Sequence, residues 1–156
     1  MRSVALDLGT KKIAYCEVRE GKVIDRTTVG SLWSLEPMLG SQAEPARVAI
    51  EACREAWFVH AKLTEWGNEV LLVDTSRSRQ MGIGHHSRKN DRIDAELMAL
   101  KVESGGIPLA HVLSPGRQEL RRQVGVRRTL VETRAQYVTT IRGLARECGC
   151  ALRSCD

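Results

Sequence analysis

The sequence predicts an α/β protein in which a mixed β-sheet with flanking helices is followed by a long C-terminal helix. Three observations lead to this expectation. Within the first 30 residues, apolar and polar side chains alternate in SVALDL, and turns at Gly9-Thr10 and Glu20-Gly21 lead into two further strands, which is typical of an antiparallel meander. Residues 46–73 give a strand, a helix and a second, apolar strand, which is typical of a parallel unit. After Ser114 and Pro115, apolar residues recur every seven positions, as in a coiled coil.

Length and composition indicate a soluble protein with a substantial core. The chain has 156 residues, of which 42% are hydrophobic. No apolar run approaches the roughly 18 residues that span a bilayer, and the N-terminus MRSVALDLGT lacks the apolar core of a signal peptide. We therefore expect a cytoplasmic protein without a membrane partner. The five cysteines form no CxxC pair, which favours free thiols over structural zinc.

The net charge of +5 is unevenly distributed along the chain. Residues 1–115 hold 15 basic and 15 acidic side chains, whereas residues 116–156 hold 9 basic and 4 acidic ones. All nine of those basic residues are arginine, which is suited to bidentate contacts with phosphate. The charge therefore indicates nucleic acid as a partner.

The first strand, SVALDL, carries an acid in its middle. Val4 and Leu6 face one side of this strand and Asp7 faces the other. Aspartate is disfavoured inside strands, so its position requires an explanation. Asp7 could lie on an edge strand and bond to the nearby turn, but the apolar content of the strand favours a central position. Two further strands are expected at about residues 12–18 and 22–30.

A second acid ends the strand ARVAIEA of the parallel unit. Glu51 stands at the carboxyl end of this strand, the edge at which open α/β sheets gather functional groups. A helix over Arg54–Trp66, ended by Gly67, and the apolar strand EVLLV complete the unit. A last short strand, LAHVL, is expected after Pro108.

Two more acids open the helix that follows Asn90. Asp91 and Asp94 lie one turn apart and share a face with apolar residues, whereas Glu96 and Glu103 fall on a polar stripe. Carboxylates that point toward a core favour a bound cation. The alternative is capping, since Asn90 resembles an N-cap and acids in a first turn favourably meet the helix dipole.

Basic residues occur in two places that predict phosphate contact. The glycine-containing segment of residues 74–90 is either a phosphate-contacting flap or a solvated loop, and its candidate residues are Arg77, Arg79, Arg88 and Lys89. The C-terminal helix, to about Cys148, has an apolar seam at Val124, Val131, Val138 and Ala145. Its candidate phosphate-binding residues, off that seam, are Arg117, Arg121, Arg128 and Arg142. We expect the seam to pack on a second copy or on a domain outside this sequence.

Taken together, Asp7, Glu51, Asp91 and Asp94 form a set of four acids with almost no other catalytic candidates. Such a set suits two-metal phosphoryl chemistry, because Mg²⁺ prefers oxygen ligands and performs the activation itself. Mn²⁺ is a plausible substitute. Two ions roughly 4 Å apart would hold the attacking and leaving oxygens of a phosphodiester.

The motifs LDLGTKK, IEAC, LLVDTSR and KNDRIDAELMA resemble those of the DEDD-type transposases of the IS110 family of insertion sequences. The resemblance covers essentially the whole chain and is most specific in KNDRIDA. It implies an RNase H-like (RuvC-like) fold over residues 1–113, with Asp7, Glu51, Asp91 and Asp94 as catalytic metal ligands. It also implies DNA as substrate, a guide (bridge) RNA as partner, and an arm at residues 114–156 that leads to a second, serine-bearing domain. That domain is missing here, so we expect an N-terminal fragment in which no serine takes the nucleophilic role.

Departures from the family pattern and competing interpretations remain. Where the family usually has Glu-Ala-Thr-Gly, this chain has Glu51-Ala52-Cys53-Arg54, and where the family has Asn-Pro after the next strand, it has Asp74-Thr75. These departures affect loop geometry but no metal ligand.

A Holliday-junction resolvase would share the fold and the acid set. An actin-like ATPase lobe would need a second phosphate loop, which is not evident. A non-catalytic module for nucleic-acid binding or dimerisation, with acids that merely cap helices, is the other alternative.

Overall fold

The structure is a computed structural model that describes residues 2–80, 91–150 and 152, without the side chains of residues 78–80, 91 and 92. The chain divides into two units, Met1–His111 and Val112–Asp156. The first unit holds every strand of the described chain, and the second holds a long helix.

Five strands and five α-helices are described. The strands are β1 (Arg2–Leu8), β2 (Ile13–Arg19), β3 (Lys22–Val29), β4 (Ala46–Glu51) and β5 (Glu69–Val73). A 3-10 helix at Leu32–Leu35 precedes the helices α1 (Glu36–Leu39), α2 (Ala56–Glu65), α3 (Thr75–Gln80), α4 (Asp91–Ser104) and α5 (Pro115–Glu147). These bounds follow the expected order of elements closely.

The five strands form one mixed sheet in the order β3-β2-β1-β4-β5. The pairs β1-β2 and β2-β3 are antiparallel, and β1-β4 and β4-β5 are parallel. The meander is thus joined to the parallel unit by the pairing of β1 with β4, and β1 occupies the centre of the sheet. Asp7 therefore lies on a central strand, and the edge-strand interpretation is wrong. The mixed sheet, its flanking helices and the long C-terminal helix confirm the predicted fold class.

Each face of the sheet has its own core because side chains alternate along the strands. On one face, Val4, Leu6 and Ile50 pack with the 3-10 helix, α1 and α2. On the other face, Ala5 and Ala49 pack against α4. Residues of β1 and β4 at odd-numbered positions therefore face α4, and this alternation decides the direction in which Asp7 and Glu51 point.

The segment LAHVL forms less structure than expected. A single antiparallel bridge joins Leu109 to Val73, supported by a hydrogen bond from the Ala110 amide to the Leu72 carbonyl at 2.7 Å. Pro108 has no amide hydrogen to donate, and its carbonyl accepts from the Asp74 amide at 3.0 Å. The segment thus closes the edge of the sheet at β5 with a bridge, and the predicted strand is not formed.

A buried ion pair lies on the face opposite α4, at the start of β1. The Nη2 atom of Arg2 donates to Oε2 of Glu17 at 2.7 Å, and the Tyr15 hydroxyl donates to the same oxygen at 2.7 Å. Arg2 also donates to the carbonyls of Met38 and Glu44, at 3.0 and 2.6 Å. These contacts tie β1 and β2 to α1 and to the segment that follows it.

The second unit consists mainly of α5, a helix of 33 residues without a single buried side chain. Ser114 occupies the N-cap position and Pro115 lies in the first turn, where the fixed backbone angle of proline favours the start of a helix. Val124 and Val131 of the seam are 57% and 50% exposed. Within this unit, the apolar seam is therefore uncovered. In the described part of the chain, no helix is long and apolar enough to cross a membrane.

Candidate functional site

Asp7 and Glu51 stand at matching positions at the carboxyl ends of two neighbouring parallel strands. Leu6 of β1 pairs in register with Ile50 of β4, so the next residue of each strand is the acid. Adjacent strands lie about 4.8 Å apart. Asp7 and Glu51 each follow by two residues an alanine that packs against α4, Ala5 or Ala49, so they lie on the same face of the sheet as those alanines. Both acids are half-buried. The two carboxylates therefore belong to the face of the sheet that α4 covers.

The direction of α4 places its first turn near these two acids. Near its C-terminal end, Oε2 of Glu103 accepts a hydrogen bond from the amide of Gly21 at 2.7 Å. Gly21 lies in the turn after β2, beside the beginning of β1, since Ser3 pairs with Val18. Helix α4 consequently runs antiparallel to β1. Its N-terminal turn lies at the end of the sheet where β1 and β4 finish.

Asp94 occupies that first turn on the side that faces the sheet. It precedes Met98 by four residues, and Met98 is buried against the sheet with Ala95, Ala99 and Val102. The side chain of Asp94 is half-buried. Asp91 is the first residue of α4, and its side chain lies outside the described part of the structure. The structure thus brings Asp7, Glu51 and the first turn of α4 to one end of the sheet, and their function as metal ligands stays a prediction.

The donor chemistry of this end of the sheet fits a hard divalent cation. Carboxylate oxygens are the ligands that Mg²⁺ prefers, and three half-buried side chains carry them here: Asp7, Glu51 and Asp94. Asp7, Glu51 and Asp94 are each engaged in an interaction within the structure, so none of them is free. Among the described side chains, which exclude that of Asp91, no group of three His, Cys, Asp or Glu residues is close enough to hold a metal ion.

A further acid, Asp74, lies at the same edge, and no pattern in the sequence marks it as a site residue. It directly follows Val73, which pairs with Glu51. Its Oδ1 atom accepts hydrogen bonds from the amides of Ser76 and Arg77, at 2.9 and 3.2 Å, at the start of α3. Aspartate and asparagine cap helices about equally well. The departure from Asn-Pro at Asp74-Thr75 therefore keeps a capping residue in place.

The basic residues of the predicted flap are only partly described. Arg77 is exposed, and its Nε atom lies 3.8 Å from Oδ2 of Asp74. Arg79 belongs to α3, but its side chain lies outside the described part. Arg88 and Lys89 lie outside the described residues altogether. The flap, and its contact with phosphate, stay predictions.

The arginines of α5 are mostly solvent-exposed. Arg117, Arg121 and Arg128 are exposed, whereas Arg142 is half-buried. The Nε atom of Arg128 lies 2.7 Å from Oε1 of Glu132, in an ion pair between side chains that are 78% and 57% exposed. Such an exposed pair is worth little energetically, so the Arg128 guanidinium can exchange Glu132 for a phosphate.

A family model agrees with the resemblance noted in the sequence. A family model for the DEDD transposases of IS110 elements, described as "Transposase", matches residues 4–149. A solved structure described as "T. thermophilus RuvC in complex with Holliday junction substrate" has a TM-score of 0.42 and 16% identity, with 69% of this chain and 99% of that chain covered. No curated protein sequence matches the chain. Since the family model spans nearly the whole sequence, the chain belongs to the IS110-type DEDD transposase family.

Proposed function

We propose that this chain is a metal-dependent catalytic domain of a DNA transposase, in which Asp7, Glu51, Asp91 and Asp94 hold Mg²⁺ for phosphodiester cleavage and strand transfer. The observation that carries the proposal is the placement of three elements. The ends of β1 and β4 and the first turn of α4 meet at one end of the sheet, and each carries an acid. Family membership supports the same chemistry.

The arrangement of the acids suits the role. Asp7 and Glu51 are fixed by strand register, and Asp94 is fixed by a helix packed on the same face. Mg²⁺ held at such a site would stabilise the developing charge on phosphate and lower the pKa of a bound water. Half-burial keeps the carboxylates accessible to a substrate while it limits the number of waters that compete for the ion. Mn²⁺ would bind the same oxygen ligands.

DNA is the proposed substrate, and a guide (bridge) RNA is the proposed partner, as membership in the family implies. The exposed arginines of α5 and the exposed Arg77 provide cationic groups for phosphate. These cationic groups do not distinguish DNA from RNA, because phosphate contacts carry no sequence information.

We also propose that α5 pairs with a second copy of the chain. Its apolar seam has the seven-residue spacing of a coiled coil and is half or more exposed at Val124 and Val131. Leu130, Tyr137 and Leu144 beside the seam are exposed as well. A contiguous apolar stripe of this length on a water-facing helix is typical of a protein interface. Antiparallel or parallel pairing would cover it, and a homodimer or a higher oligomer would result.

Metal binding separates this function from its alternatives. We expect calorimetry to show Mn²⁺ binding to the 156-residue protein and a loss of affinity in Asp94→Asn. The loss should be at least about tenfold, because even groups that only orient metal ligands contribute roughly 10- to 100-fold. The matched control is Asp25→Asn, which removes an exposed carboxylate from β3.

Unchanged Mn²⁺ affinity in Asp94→Asn, with an intact fold by circular dichroism, would count against the acid site. A protein that binds DNA or RNA but no divalent ion would favour the non-catalytic binding module. A Holliday-junction-resolvase-like nuclease would instead bind Mn²⁺ and cut four-way junctions in preference to linear duplexes. Cleavage assays on both substrates distinguish that activity from the one proposed.

A further inference from the structure

The contact between α4 and the sheet combines several small side chains with two larger ones of the helix, Met98 and Val102. Ala95 and Ala99 of the helix meet Ala5, Ala14 and Ala49 of the strands. Ridges and grooves between packed elements are shallow where side chains are short, so the alanines at this contact fix the position of the helix along the sheet only weakly. The acid in the first turn of α4 nevertheless requires a defined position.

Two polar contacts tie α4 to the meander. The Nη2 atom of Arg26 in β3 lies 2.6 Å from Oε1 of Glu96. Oε2 of Glu103 accepts from the Gly21 amide in the β2-β3 turn at 2.7 Å. Glu96 and Glu103 are seven residues apart, so both contacts lie on the same side of the helix, roughly 10 Å apart along its axis. They belong to the polar stripe that the sequence predicts.

The first of these contacts lies close to the acid end of the sheet. Arg26 pairs with Cys16, which pairs with Ala5, two residues before Asp7. Glu96 follows Asp94 by two residues, which is about 3 Å along the helix axis. The Arg26-Glu96 ion pair therefore restrains the same turn of α4 that carries Asp94.

We infer that the Arg26-Glu96 ion pair and the Glu103-Gly21 hydrogen bond act as a two-point clamp that positions Asp94 relative to Asp7 and Glu51. One contact alone would allow α4 to pivot, whereas two contacts fix both its translation and its rotation. The inference rests on the proposed metal site. A slip of one residue moves a helix by about 1.5 Å, which is most of a Mg²⁺-oxygen distance of about 2.1 Å. Arg26, Glu96 and Glu103 are thus positioning residues.

The test is a charge exchange measured by Mn²⁺ calorimetry on the full 156-residue chain. Arg26→Glu places two carboxylates against each other, and we expect Mn²⁺ affinity to fall about tenfold, the lower end of the effect of groups that orient metal ligands. The double variant Arg26→Glu with Glu96→Arg restores the ion pair and should recover most of that affinity. Glu96→Gln, which keeps the shape and removes the charge, serves if Arg26→Glu fails to fold.

Arg47→Glu is the matched control. Arg47 pairs with Glu69 at 2.9 Å, and the two side chains are 39% and 44% exposed, so this pair resembles the first but joins β4 to β5. The thermal midpoint should change similarly in Arg26→Glu and Arg47→Glu, whereas only the former should lose Mn²⁺ affinity. Equal Mn²⁺ affinity in these two variants and the unmodified protein would overturn the clamp.

A second measurement separates failure of the clamp from failure of the metal site. If the unmodified protein binds no Mn²⁺, the proposed function fails. Amide hydrogen exchange in α4 then decides the clamp. Faster exchange in Arg26→Glu, restored in the double variant and absent in Arg47→Glu, supports it, and unchanged exchange overturns it.

Discussion

Glu17 accepts hydrogen bonds from Arg2, Tyr15 and Arg19 on the face of the sheet opposite α4. Burial by itself raises the pKa of this carboxyl, but the hydrogen bonds from its three donors outweigh burial and lower the pKa to about 2. The same surroundings raise the pKa of Tyr15, chiefly through burial. Glu17 is therefore ionised at neutral pH, and its partners hold β1 and β2 together.

Removing this carboxylate should destabilise the protein. We expect Glu17→Gln to lower the free energy of unfolding at pH 7 by about 3 kcal/mol, since it leaves the buried Arg2 guanidinium without its counter-charge. The folded pKa lies below the reference value of 4.5, so the stabilisation is complete above pH 4.5 and is lost as the pH falls toward 2. Urea denaturation at several pH values should show the gap between variant and unmodified protein narrowing over that window.

The control for this prediction is Asp25→Asn, because Asp25 stands opposite Glu17 on β3 and is exposed. If Glu17→Gln lowers the free energy of unfolding no more than Asp25→Asn does, the structural role of Glu17 is contradicted. If the difference in free energy of unfolding between Glu17→Gln and the unmodified protein stays constant from pH 5 to pH 2.5, the lowered pKa of Glu17 is contradicted.

Glu17 also shows the limit of sequence reasoning about single residues. An acid in the middle of a strand marked Asp7 as a site candidate, yet Glu17 lies equally within β2 and is paired with Arg2 instead. The alternation of side chains is visible in the sequence, but the partner across the sheet depends on tertiary pairing. Glu51 could be assigned to the carboxyl edge of the sheet because the parallel unit fixes the direction of its strand. Arg26 and Glu96 could not be paired, since their contact depends on how α4 lies across the meander.

At the scale of elements, the strands were more predictable than the connections. The alternation in β1 and the apolar runs in β4 and β5 can be recognised without knowing which strand pairs with which. LAHVL has a similar pattern, but it follows Pro108 and pairs with the sheet only through Leu109. Helix α5 was predictable for a different reason, since Pro115 fixes its start and a heptad pattern runs along it.

The exposed seam of α5 leads to a prediction about that helix. Val131 is half exposed within its unit, so Val131→Asp removes no core contact there. We expect sedimentation to show a dimer or a higher oligomer for the unmodified protein and a folded monomer for Val131→Asp, with equal helix content by circular dichroism. Gln136→Asp is the control, because it introduces the same charge at an exposed position off the seam.

If Val131→Asp unfolds the protein instead, the seam packs within its own chain. An unmodified protein that sediments as a monomer at every concentration would refute the pairing of α5.

At the scale of the molecule, the positive charge and the candidate metal site belong to different parts of the chain. Residues 1–115 are balanced in charge, and the arginines of residues 116–156 supply the excess. A unit with balanced charge gains little long-range attraction to a polyanion, whereas a row of exposed arginines gains much at low salt. We therefore expect α5 to supply most of the non-specific affinity for nucleic acid, and the acids of the first unit to supply metal binding.

Salt dependence tests this division of roles. Each duplex phosphate that an arginine neutralises adds about 0.9 to the slope of log affinity against log salt, so losing four contacts should reduce the slope by up to about 3.6. The variant that removes them replaces four arginines of the helix by glutamine: Arg117, Arg121, Arg128 and Arg142. Fluorescence anisotropy with a labelled duplex, over a series of salt concentrations, measures the slope for the variant and for the unmodified protein.

The control variant has the same change in net charge within the first unit, with glutamine at Lys22, Arg47, Lys62 and Lys101. The arm variant should lose affinity and slope while the control keeps most of both, and Mn²⁺ affinity should be unchanged in the arm variant. Equal losses in the two variants would show that only net charge matters, and affinity that survives the four substitutions in α5 would remove the arm from the nucleic-acid interface.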